Sequence, residues 1–401
     1  MKKEQKIAFI FSQFPCYDET FILREMNQLR AGGLEFEIYS LKSPKDKIVH
    51  DEAKELAKNT SYLPFFSFKL LKADLFFLFH HPLRYLTTFF GVLLRNLKSP
   101  NFFLKTCALW YKAVGFARLA RENGITHVHG QWATYPATVA FIISKLNNIP
   151  FSFTGHAHDI YLDTTMLAFK LRRAKFVTTC TETNKTFLEN IAGPSFKNKI
   201  IANYHGVELE RFAGEKILHS VFTILSIGTL VDRKGFEFII QACDILKKKG
   251  LDFKCIIAGG GPEEIRLKRM IKVLALESLI EMKGRITQEA IIPLYKEADV
   301  FVLTVKTKKH FGIPNVFIEA LASKVASIST RLESIHELIQ DGNTGLIVPG
   351  EDAQAVADAI EKLYRDSGLR LAMAEKGYRV VKEKFDAAKN AVRLKELFAY
   401  R

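Results

Sequence analysis

Cysteine is scarce in this chain of 401 residues. The five, Cys16, Cys107, Cys180, Cys243 and Cys255, lie far apart, without CxxC spacing and without a Cys/His cluster. That pattern excludes a disulfide frame and a zinc site of ordinary spacing, and fits a reducing compartment. Long apolar runs are absent too. No stretch approaches the roughly 20 residues of a spanning helix. Near the N-terminus, IAFIF is too short for the apolar part of a signal peptide and is followed by polar sequence with no small-residue cleavage site. The expected address is the cytoplasm. Acidic residues are in deficit: Asp and Glu total 43 against 58 Lys and Arg, a formal charge of +15. Such a surface attracts an anionic partner. No nucleic-acid-binding module is present, and the basic residues accompany Phe and Leu rather than a polar stacking platform, so nucleic acid is not the expected partner.

What the chain has is an ordinary globular composition, 48% hydrophobic and 25% charged, with 33 Phe. Short apolar runs alternate with amphipathic stretches. KIAFIFSQ, FEIYSL, HVHG, PFSFTGHAHD and FVTTC predict strands in the first half; FTILSIG, FKCIIAGG, IEMKG, VFVLTV, VASIST and GLIVP do so in the second. Helical patterns such as ETFILREMNQLRAGG and FEFIIQACDILKKKG lie between them and end in Gly after basic residues. Alternation of this kind means βαβ units and parallel sheets. The expected fold is α/β, with two Rossmann-like doubly wound domains facing a cleft: residues 1–205 with a returning C-terminal helix at 385–401, and residues 206–384. In such sheets ligands bind beyond the carboxyl ends of the strands.

Residues 62–116 break the alternation and form a helical insertion in the first domain. Phe and Leu are interleaved there with Lys69, Lys72, Arg84, Arg95, Lys98, Lys105 and Lys112. Cations beside an apolar face suit an anionic membrane interface. The plainer alternative is an insertion packed on the domain, with its lysines reaching out to water.

Three strand-to-helix junctions of the second half carry candidate chemistry. GTLVDRKGFEF places Gly228, Thr229, Arg233 and Lys234 between a strand and a helix, where backbone amides, a helix N-terminus and a cation suit a diphosphate. AGGGPE lacks the GxGxxG register and predicts a tight turn. FGIPNVFIEALA puts Phe311, Gly312, Ile313, Asn315 and Val316 at a second helix start, with Glu319 inside that helix where a carboxylate suits two ribose hydroxyls. In the first half, SFTGHAHDIYLD brings His156, His158 and Asp159 together. No third metal ligand is announced, so these are expected to face acceptor or sugar rather than metal.

The order of these motifs resembles the retaining, family-4 glycosyltransferases of GT-B architecture, in particular bacterial enzymes that build exopolysaccharide. FPCYDETFILREMNQL, TGHAHDIY, HGVELERF, LVDRKGFEFII, AGGGPE, GIPNVFIEALA and DGNTGLIVPGED follow the family's order over nearly the whole chain. The resemblance implies catalytic roles for His156, Lys234 and Glu319. It implies a donor site of Gly228, Thr229, Arg233, Lys234, Arg285, Ile286 and residues 311–316 with Glu319. The acceptor side would hold Glu19, Thr20, His156, His158 and Asp159. No metal or other cofactor is implied; the co-substrate is a nucleotide diphosphate-sugar, and the acceptor is lipid-linked or a polysaccharide at the inner face of the plasma membrane. Three departures stand out. The family pattern has arginine at Thr229, glutamate at Phe311 and proline at His336. Arg233, Lys306, Lys308, Lys309 or Arg331 would have to replace the missing cation. A non-catalytic sugar-nucleotide-binding protein and an epimerase acting on free nucleotide sugars are the competing readings; the epimerase has no use for the greasy basic segment.

Overall fold

A computed structural model describes residues 5–16, 19–44, 51–65, 67–97, 100–162, 164–217, 219–306 and 312–399. The chain divides into two compact units, Met1–Tyr204 with Ala388–Arg401, and His205–Ala387.

The first unit is built on a parallel sheet of β1 (Lys6–Phe11), β2 (Glu35–Ser40), β3 (Thr60–Tyr62), β4 (His127–Gln131), β5 (Phe151–Gly155), β6 (Val177–Thr179) and β7 (Ile200–Ala202). Their order is β3-β2-β1-β4-β5-β6-β7. The run KIAFIF is apolar on both faces because both are covered: Ala8 and Ile10 join one core, Ile7, Phe9 and Phe11 the other. The chain winds outward from β1 to β3, then restarts at β4 on the other side of β1. The strand order therefore reverses between β1 and β4, where a doubly wound sheet opens a crevice.

The second unit repeats the plan with β8 (Phe222–Ile227), β9 (Phe253–Ala258), β10 (Ile280–Gly284), β11 (Val300–Leu303), β12 (Ala326–Thr330) and β13 (Leu346–Val348). Their order, β10-β9-β8-β11-β12-β13, puts the reversal between β8 and β11. All eleven strands expected from the sequence are present. β3 and β7 were not expected; each has three residues and lies at a sheet edge. The run PFSFTGHAHD is a strand only to Gly155; beyond it a turn leads into a short helix, His158–Tyr161.

The insertion is helical: Phe68–His80, Pro82–Asn96 and Pro100–Glu122. Twelve of the nineteen exposed large hydrophobic residues among those described fall between Phe65 and Leu104, led by Phe68 at 83%, Leu83 at 79% and Phe79 at 74%. Lys69, Lys72, Arg84, Arg95 and Lys105 are exposed beside them. Lys112 corrects the expectation of a surface cation. It is 6% exposed, its ammonium donates to the Leu41 carbonyl at 2.7 Å, and it packs over the Phe65 ring. Lys98 lies outside the described residues. The last helix, Ala387–Ala399, packs into the first unit, where Phe398 meets Phe9, His127, His129 and Phe176 edge to face at 5.1–5.7 Å.

Candidate active site

In the second unit the loop after β8 is tied to the loop after β11. The Thr304 hydroxyl donates to the Gly235 carbonyl at 2.6 Å, and the Lys306 amide donates to the Arg233 carbonyl at 2.9 Å. Gly235 has φ +67°, and a Cβ there would run into the Thr304 carbonyl oxygen, so only glycine fits. This close approach holds the one-turn helix Asp232–Lys234 at the reversal point of the sheet. The Lys234 ammonium has no hydrogen-bond or ion-pair partner among the described residues. Burial, with a smaller push from Arg233, lowers its pKa to about 8. A half-buried lysine without a partner among the described residues favours an arriving anion.

Thr229 is exposed and brings no charge. Lys306 does not supply the missing one. It is bound to Asp232 at 2.5 Å and Glu237 at 2.8 Å, which neutralise it. Lys308, Lys309, His310 and Phe311 lie outside the described residues. AGGGPE is a packing turn: Gly259 has φ +144°, and a Cβ there would strike the Gly228 carbonyl oxygen. Gly228, Leu230 and Glu263 complete the turn through backbone bonds of 3.0 Å. Arg285 and Ile286 follow β10, at the same C-terminal end of the sheet as Gly228 and Gly259.

Gly312 to Pro314 lead into the helix Asn315–Ala322, with Pro314 at its N-cap. The Asn315 Oδ1 is buried and without a hydrogen-bond partner among the described residues, an open acceptor at this helix start. Glu319 is buried, not a solvated helix residue. The buried Tyr295 hydroxyl donates to its carboxylate at 3.1 Å and lies 3.2 Å from the Val316 carbonyl. Tyr295 thus anchors one carboxylate oxygen, a contact that nothing in the sequence announced.

In the first unit, Glu19 and Thr20 open the helix Thr20–Ala31 that follows β1. His156 follows β5. It is buried between Trp132, at 4.4 Å, and Phe21, at 5.3 Å. Burial drives its pKa to about 3, so the ring is neutral and acts by hydrogen bonding, not by charge. Asp159 builds the loop. Its Oδ1 accepts from the His156 and Ala157 amides at 3.0 and 2.9 Å, its Oδ2 from the Ala133 amide at 2.6 Å. Both oxygens serve backbone amides, so this structure places Asp159 as the brace of the His156 loop. His158 is exposed on the following short helix. Trp132 has φ +95°, strain that a non-glycine residue holds only where its surroundings impose it. Beneath this loop Lys170, fully buried, donates to the Ala133 and Thr134 carbonyls. Among the described residues, no three His, Cys, Asp or Glu side chains cluster as metal ligands, and no helix is long and apolar enough to cross a membrane.

Residues 210–380 match the family model described as glycosyl transferases group 1. Over this stretch the chain is similar to the group 1 glycosyltransferases. Over 172 residues it is 34% identical to a colanic acid biosynthesis glycosyltransferase, WcaL, of Salmonella typhimurium, 42% of each chain. Over 170 residues it is 35% identical to the amylovoran biosynthesis glycosyltransferase AmsK of Erwinia amylovora, 41% of this chain and 42% of that one. The matched stretch thus spans about two fifths of these curated relatives. In fold, the similarity runs the whole length. A glycosyltransferase from Rickettsia africae superposes with TM-score 0.72 at 18% identity, covering 99% of this chain and 98% of that one. HepE of Anabaena, solved in complex with UDP, does so with TM-score 0.73 at 14% identity, covering 98% and 99%. The architecture is GT-B, and Lys234 lies inside the stretch that matches the family model.

Proposed function

We propose that the chain transfers a sugar, with retention of configuration, from a nucleotide diphosphate-sugar to a lipid-linked or polysaccharide acceptor. The observation that carries this reading is Lys234, half-buried and without a partner among the described residues, at the reversal point of a sheet inside the matched unit. The relatives named for colanic acid and amylovoran biosynthesis support an acceptor on the way to a surface polysaccharide, and the HepE complex with UDP-glucose supports this kind of donor.

In the proposed reaction the departing diphosphate is stabilised by the Lys234 ammonium and by backbone amides between Gly312 and Val316, and Glu319 accepts from the ribose. Charge-assisted bonds of this kind, fixed in a desolvated setting, are among the larger contributions to catalysis. His156, neutral and clamped by rings, contacts the transferred sugar. The exposed face of residues 65–105, with its five exposed cations, lies on the anionic inner surface of the membrane. A cavity of about 580 Å³ lined by Lys69, Lys72, Arg118, Leu63, Leu70 and Phe76 joins the same charge and grease.

The deciding experiment offers a panel of nucleotide sugars to the purified chain, with bacterial membranes as acceptor. Transfer of one sugar into lipid or polysaccharide is the expected result. Nucleotide-sugar binding without turnover would instead support the non-catalytic reading, which the uncharged, exposed Thr229 favours.

Phe311 carries a prediction about donor choice. A ring in the place of the family's glutamate cannot accept from sugar hydroxyls, and each hydroxyl buried unpaired costs about 1–3 kcal/mol. Deoxy or N-acylated sugars are therefore expected to compete better than glucose, mannose or galactose, and Phe311→Glu is expected to reverse that ranking. An identical order of competitors in both proteins would show that position 311 does not read the sugar.

A further inference from the structure

The first unit contains a carboxylate that this chemistry leaves unused. Glu25 lies on the helix Thr20–Ala31, and its Oε1 accepts from the Gln131 side-chain amide at 2.5 Å. Gln131 ends β4 and is wholly buried; its Oε1 lies 3.4 Å from His156 Nε2. We propose that Glu25 is a positioning residue which, through the Gln131 amide, selects the nitrogen of His156 that carries the proton. This rests on the glycosyltransferase reading, in which His156 contacts the transferred sugar.

The argument follows from what each group can donate. An ionised carboxylate only accepts, so Gln131 must turn its NH₂ toward Glu25 and its carbonyl toward His156. A neutral imidazole then donates from Nε2 and keeps its lone pair on Nδ1. A protonated Glu25 can itself donate. The amide is then free to turn over, Nε2 becomes the acceptor, and the proton moves to Nδ1. The ring stays neutral in both arrangements, because burial keeps its pKa near 3.

Glu25 is suited to such a change. Burial raises its pKa to about 7, the Gln131 bond alone opposes the rise, and no neighbouring charge contributes. On β4 the buried His129 is also held neutral by burial, and the Ser152 and Thr154 hydroxyls occupy its two nitrogens. Phe21 and Trp132 fix the plane of the His156 ring.

The test uses the full chain labelled with ¹⁵N-histidine, with the His156 signals assigned by their loss in His156→Asn. Long-range ¹H–¹⁵N spectra between pH 5.5 and 8.5 are expected to show Nε2–H above pH 7 and a rising share of Nδ1–H below it, with no protonation of the ring. In Glu25→Gln, nearly isosteric and chosen to preserve folding, the pattern is expected not to change with pH. Transfer assays on the same variant are expected to show kcat lowered about tenfold with donor KM unchanged, and no further loss when Glu25→Gln is added to His156→Ala. A His156 tautomer indifferent both to pH and to Glu25→Gln overturns the proposal, as do losses that multiply in the double variant. The spectra need no turnover. If the wild type transfers no sugar, the functional reading fails while the tautomer measurement still decides the role of Glu25.

Discussion

Lys234→Ala is expected to lower kcat/KM about a hundredfold and to weaken nucleoside diphosphate binding, with the fold intact. The lysine faces no internal partner among the described residues, so its removal leaves no stranded carboxylate. Its loss removes one charge-assisted donor from the leaving diphosphate, and one such donor in a desolvated site is worth about 10²–10³ in rate. A pH dependence follows from the same environment. The free enzyme loses the lysine's proton near pH 8, well below the usual value for lysine, because burial disfavours the charge. A bound diphosphate restores the charged form. Affinity is therefore expected to be level below pH 8 and to fall by about tenfold per pH unit above it, until the bound lysine also titrates. Calorimetry in buffers of different ionisation enthalpy is expected to register proton uptake on binding at pH 9. Glu319→Ala is expected to weaken binding by about 2 kcal/mol through the loss of a charged acceptor, with the Tyr295 hydroxyl losing its carboxylate partner as well. Unchanged nucleoside diphosphate affinity in both single variants would place the donor elsewhere.

The chain is expected to sediment with vesicles of phosphatidylglycerol and to stay in solution with phosphatidylcholine. Lys69, Lys72, Arg84, Arg95 and Lys105 are exposed beside the apolar face, and each cation near an anionic surface contributes about 1 kcal/mol. High salt is expected to remove most of this attraction, since it acts through the solvent. The apolar share is tested separately. Burying a large aliphatic or aromatic side chain is worth about 1.5–3 kcal/mol, so Phe68→Ser, Phe79→Ser and Leu83→Ser combined are expected to cut vesicle affinity at least a hundredfold even at low salt. These side chains are among the most exposed in the protein, so stability is expected to hold. Equal, negligible sedimentation with both lipids would make the segment an ordinary insertion and weaken the case for a lipid-linked acceptor.

The two wound sheets were legible because their central strands are buried on both faces, and such strands must be short, nearly continuous apolar runs. β3 and β7 escaped for the opposite reason. TSY and IIA are three-residue edge strands, too short to show a period, and each pairs on one side only. Candidate residues were legible where chemistry and spacing coincide, as at Lys234 and Glu319. Partners were not, because they come from distant sequence. Lys306 meets Asp232 and Glu237 from another loop, and Lys112 finds the Leu41 carbonyl 71 residues away. Glu25 is the clearest case. In an amphipathic helix a glutamate passes for part of the solvated face, and only β4, 106 residues on, supplies the Gln131 amide that makes it a half-buried, hydrogen-bonded acid.

The return of Ala387–Ala399 to the first unit bears on how the protein is made. The rings of Phe9, His127, His129 and Phe176 wait for Phe398, which arrives only after the whole of His205–Ala387 has been synthesised. During synthesis the later unit can therefore close its core first, while the earlier one keeps an apolar seam uncovered on the ribosome. At roughly 5–20 residues per second, that exposure lasts on the order of ten seconds or more. A release of the nascent chain before residue 398 would leave the seam open, and such products are the ones that chaperones and proteases should find first.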